Sequence, residues 1–107
     1  MYNIDHLESK VVTFILASGR EIICELLNSV DNIAVVNNPR YVTFNGQTGE
    51  ANMIIMTVTS KLETAHFNMD TVLTVFEASE SVALEYRDII AQEALAEAEA
   101  EQETVDA

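Results

Sequence analysis

The chain has 107 residues, 49% of them hydrophobic, and a formal charge of −13 from 18 acids and 5 bases. That is room for one small domain with a packed core, which excludes global disorder. The single cysteine, Cys24, excludes an internal disulfide framework and a cysteine-based zinc site within one chain. No apolar run approaches the roughly 20 residues of a membrane-spanning helix. Met1 to Leu7 lacks the basic and apolar stretches of a secretory signal, so a cytoplasmic location is expected.

Val11 to Ala17 is rich in β-branched and aromatic residues and places Val12, Phe14 and Leu16 on one face. Ser18-Gly19 reads as a tight hairpin turn, and Arg20 to Leu27 returns as a second strand with Ile22, Cys24 and Leu26 alternating. Asn28 to Asn32 supplies turn chemistry ahead of a short apolar strand, Ile33 to Val36, which Pro39 is expected to stop. Tyr41 to Phe44 either extends that strand or forms an edge piece. Asn45 to Glu50 is the clearest loop. Met53 to Leu62 predicts a long fourth strand, Glu63 to Met69 a polar connection, and Asp70 to Phe76 a fifth strand. This spacing of strands points to a small barrel rather than a parallel sheet.

From Ala78 the pattern turns helical. Ser79 or Ser81 can cap the helix, and Val82, Tyr86, Ile89 and Ile90 form an apolar stripe. Beyond Leu95 the alternation of Ala and Glu has high helix propensity but no apolar face, and a fraying, solvated end is expected. The organisation is therefore a β domain over residues 1–77, followed by an acidic helix and tail over 78–107.

Residues 93–107 hold six acids and no base, yet residues 1–92 are still acidic, with twelve acids against five bases. Non-specific duplex binding needs several cations set against phosphates, so it is not expected. Selective contact with a short single strand through stacking and base edges is compatible with the charge.

The stretch Leu16-Ala17-Ser18-Gly19-Arg20-Glu21-Ile22, then Leu26, then Val30-Asp31 and an apolar strand, resembles the first motif of the Sm and LSm proteins, a family that includes Hfq. Phe67-Asn68-Met69-Asp70-Thr71-Val72-Leu73-Thr74-Val75 lies where that family places its second motif. The likeness covers about residues 10–76. Cys24 stands where a glycine is usual, one extra residue separates Leu26 from Asp31, Val35 takes the place of an RNA-contacting Asn, and Asn68-Met69 replaces Arg-Gly. The chain is similar in these departures, and in its long acidic helix, to a marine-phage branch of Sm-like proteins associated with pentameric rings. The resemblance implies a strongly bent five-stranded Sm-like barrel whose edge strands pair between copies, giving a homo-oligomeric ring, pentamer over hexamer or heptamer. For a phage-encoded protein the compartment would be the host cytoplasm.

The resemblance also implies that the turns after the second and fourth strands face a pore and contact RNA. The candidates are Asn32, Asn37 and Asn68, which can read base edges, and His66 and Phe67, which can stack. Against this, Asn28, Asn32 and Asn68 are turn formers by type, and His66 is equally a loop histidine without a task. Arg20, Arg40 and Lys61 either attract phosphate at a ring rim or balance Glu21 and Glu63. No phosphate loop, nucleophile elbow or metal-ligand spacing occurs, so neither an enzyme nor a cofactor or metal site is expected. Two functions follow: a ring that binds single-stranded nucleic acid, RNA over DNA, in its processing or regulation, or a protein-interaction ring that has lost RNA and uses the C-terminal helix to take a partner.

Overall fold

A computed structural model of the chain describes residues 4–55 and 64–105. After a single 3-10 turn, Asp5–Leu7, the elements are β1 (Val11–Leu16), β2 (Glu21–Val30), β3 (Ile33–Asn45), β4 (Glu50–Ile55), β5 (Thr64–Asn68), β6 (Val72–Glu77) and α1 (Glu80–Val105). The sheet is antiparallel, in the order β4-β3-β2-β1-β6, with β5 also paired to β3. It curls into a half-barrel carrying one C-terminal helix, the mainly β architecture expected from the strand pattern.

The alternation of β1 and β2 produces two layers. Val12, Phe14, Ile22, Cys24 and Leu26 face the inside of the curl with Ala34, Val36 and Val72, and Ile4 and Leu7 close the same core. The residues between them in register, Val11 and Ile23, face the opposite side and receive α1 through Tyr86, with Val42, Met53, Ala83 and Ile90 around them. The Ser18-Gly19 turn forms as predicted, with Gly19 at φ 89°, a conformation that costs an L-residue backbone strain.

Three expectations are corrected. Pro39 does not stop β3. Residues 38 and 39 together oppose Cys24, because the register passes from Ile23↔Arg40 to Glu25↔Asn37. This β-bulge absorbs the missing proline N–H, and Asn38 turns the chain with φ 48°. The extra residue also inverts the alternation. Ala34 and Val36 point inward before the bulge; after it Tyr41 packs inward and Val42 outward. Second, the polar connection over 63–69 is in large part strand β5. Ala65 and Phe67 pack on the core, while Thr64, His66 and Asn68 are exposed. Counted among the described residues the last strand is β6, and residues 56–62 of the expected fourth strand lie outside them. Third, the packed stripe of α1 is Ala83, Tyr86 and Ile90, while Val82 is exposed.

Ser79 caps the helix, its Oγ accepting from the Val82 N–H at 3.4 Å. The helix runs on past Leu95 to Val105, and every side chain from Ala94 to Glu99 is exposed. No helix among the described residues is long and apolar enough to cross a membrane.

Candidate nucleic-acid interface

The β2–β3 hairpin turns at Asp31-Asn32, with Asp31 in the left-handed region at φ 55°. Asp and Asn tolerate that conformation better than most residues. Across the barrel end, β5 hands over to β6 through a short 3-10 turn, Met69–Thr71. Asn68 organises that turn. Its Oδ1 accepts from the Asp70 N–H at 2.9 Å, and its carbonyl accepts from the Thr71 hydroxyl at 2.7 Å.

The two turns are joined directly. Asn32 Nδ2 donates to the same Asn68 Oδ1 at 3.0 Å, and the Met69 N–H donates to the Asn32 carbonyl at 2.9 Å. Residues 36 positions apart therefore make one surface. His66 shares the outward face of β5 with Asn68, two residues away, or roughly 6–7 Å along a strand. Asn32, His66 and Asn68 thus gather at one end of the sheet.

Phe67 and Asn37 do not join them. Phe67 alternates inward and meets Phe14 edge to face, with ring centroids 5.7 Å apart. It is partly buried and packs against the core rather than standing on the outward face with His66. Asn37 pairs with Thr64, at the far end of the ladder that begins at Ile33↔Asn68. Four residues of strand put it roughly 13 Å away. Its carbonyl is occupied by the Tyr86 hydroxyl at 3.0 Å.

The electrostatics of this end are acidic, because Asp31 and Asp70 flank the two asparagines. The described cations are engaged elsewhere. Lys10 pairs with Glu77 at 2.8 Å and Arg87 with Glu25 at 3.4 Å. Arg20 lies over the Tyr41 ring, 4.8 Å from its centroid, instead of balancing Glu21 across a strand. Arg40 is 6% exposed and pairs with Glu93, so it does not stand at a rim. Lys61 lies outside the described residues.

A second polar cluster escaped the sequence reading. Arg40 donates to its partner Glu93 and, at 3.2 Å, to the Pro39 carbonyl. Tyr86, buried under the helix, donates its hydroxyl to the carbonyls of Asn37 and Asn38, 3.0 and 2.8 Å away. Burial, and after it the negative charge Cys24 would carry, pushes the Tyr86 hydroxyl above its ordinary value. The signal was present in the sequence: Tyr86, Ile90 and Glu93 recur at i, i+4 and i+7, a single helical face that ends in a carboxylate.

Among the described residues no three His, Cys, Asp or Glu side chains are placed to hold a metal ion. No protein-family model matches the chain, and no curated protein matches it closely enough to stand as a relative.

Proposed function

We propose that the chain is a non-enzymatic Sm-like protein that closes a homo-oligomeric ring, a pentamer, and binds single-stranded RNA at the end where Asn32, His66 and Asn68 meet. The observation that carries the reading is the Asn32–Asn68 hydrogen bond, which fuses two distant turns into one polar surface. With Asn68 Oδ1 taken up by Asn32 and Asp70, the Asn68 amide is left with donor N–H groups and Asn32 with an amide oxygen to offer base edges, and an exposed imidazole beside them offers a stacking plane. Copied around a ring, three such residues become a continuous track.

Ring closure has support of its own. The outer edge of β6 and the outer edges of β4 and β5 have no strand partner among the described residues. Leu73 and Phe76 on β6 are 64% and 57% exposed. Unpaired edges carrying large apolar side chains invite strand addition, and head-to-tail pairing of the two edges leaves none free.

Fluorescence anisotropy of labelled oligo-U and oligo-A RNA, at low and then physiological salt, tests the binding. Saturable binding that survives salt and favours one oligomer is expected, and His66→Ala weakens it several-fold. Absence of binding even at low salt overturns the RNA reading.

A second reading has a specific observation in its favour. Asp31 and Asp70 flank the candidate surface, and each described cation is engaged away from it. On that reading the ring binds protein, through the exposed acidic half of α1, and has lost RNA.

A further inference from the structure

The contacts of α1 converge on one place in the sheet. The Tyr86 hydroxyl reaches the carbonyls of Asn37 and Asn38. Glu93 holds Arg40, whose guanidinium also bonds the Pro39 carbonyl. Residues 37, 38 and 40 of β3 are thereby tied to two residues of one helix face, and Pro39 is held through Arg40. This stretch spans the bulge at residues 38 and 39. It is also where β3 changes its outer partner, from β5 at Asn37↔Thr64 to β4 at Arg40↔Ile55.

A bulge is a soft point, because two residues face one and the ladder is interrupted there. The left-handed Asn38 adds a conformation that the surroundings must hold in place. The bend therefore depends on what braces it, and the brace is the helix. The direction of β5, one of the open edges, follows from the angle between the two halves of β3.

We propose that α1 is a strut that sets the bend of β3 and, through the relative direction of the open edges, the number of copies that close the ring. This rests on the ring reading above. The magnitudes favour a dedicated device. Rings of five and six copies differ by about 12° of rotation per interface. Neighbouring strands twist by roughly 10–35° with wide scatter. Sheet twist alone is too variable to select one ring size, whereas a bulge clamped by two anchored side chains is not.

The test uses the full-length chain, with native mass spectrometry for copy number and amide hydrogen exchange for the sheet. Tyr86→Phe keeps the ring packing and removes only the hydroxyl; Glu93→Gln keeps the size and removes the charge. Both are expected to speed exchange across residues 33–37 and 64–68 by tenfold or more, leaving the β1–β2 hairpin unchanged. The single ring mass of the wild type becomes a mixture of copy numbers. Arg40→Met combined with Glu93→Leu replaces the ion pair by an apolar contact and restores one mass. Unchanged exchange in both single variants overturns the strut. Faster exchange with the wild-type copy number retained overturns its control of ring size. A monomeric wild type instead overturns the ring reading itself, and the control of copy number falls with it.

Discussion

Cys24 lies at the centre of the sheet, fully buried, and burial raises its thiol to about 12 from an ordinary 9.0. A thiol reagent at pH 8 is therefore expected to leave the folded protein unlabelled and to label it fully in denaturant. The same shift makes the fold sensitive to alkali. The unfolded chain ionises Cys24 near pH 9 while the folded chain resists until about 12. This contribution is intact below pH 9 and is lost as pH rises toward 12. Tyr86, raised in the same direction by burial, adds to the loss. Urea midpoints recorded across the alkaline range should fall steadily in the wild type. Cys24→Ala should start from a lower stability at neutral pH and fall less steeply. At Arg40 the consequence is one of charge. Glu93→Ala leaves a buried guanidinium without its carboxylate, at a cost of roughly 1–2 kcal/mol in urea denaturation. The figure is below that of a fully buried pair because Glu93 stays partly in water.

The elements were legible where a pattern is local. The β1–β2 hairpin announces itself through strict alternation and a Ser-Gly turn, and both survive unchanged. Pro39 misleads because the rule against proline in strands holds for the ladder, and a bulge takes the residue out of the ladder. That bulge supplies a counterintuitive prediction. Asn38→Val introduces a better strand former yet should destabilise the protein by roughly 1–2 kcal/mol, since a β-branched residue resists positive φ. A shifted denaturation midpoint with an unchanged slope reads it. β5 was hidden for a different reason. Thr64-Ala65-His66-Phe67-Asn68 alternates correctly, but its inward residues include only one large side chain, and its partner lies some thirty positions back in β3. On α1 the eye follows Val82 and Ile89, whereas the packed face is chosen by where Tyr86 finds two carbonyls. For the candidate site, each asparagine could be read as a turn former; their joining across the barrel end could not. Phe67 resolves as facing the core once its strand is known, because alternation then fixes its side.

At the scale of the molecule, the half-barrel is an incomplete object. Its inner face is filled, one outer face is covered by the first half of α1, and among the described residues two strand edges have no partner. The helix, 26 residues long, spans about 39 Å, and beyond Glu93 its side chains stand in solvent through Glu99. Light scattering at micromolar concentration should return a multiple of the 11.8 kDa chain mass; the monomer mass would remove the basis for edge pairing. Alternate substitution of the exposed β6 residues, Leu73→Lys with Phe76→Lys, should shift that mass toward the monomer while the circular dichroism of the fold persists, since neither residue contributes to the core.

The depth of Cys24 makes the protein a convenient object for optical work. The turn between β3 and β4 is open on every side: a side chain added at Gly46 or Gly49 would meet nothing within 4 Å. A cysteine placed at Gln47 would be the one thiol that a dye could reach, with no need to remove the native one. Fluorophores attached there report on the end of a hairpin, at the opposite end of β3 from the Asp31-Asn32 turn. Stepwise photobleaching of such a labelled particle then counts its copies one by one, independently of any mass.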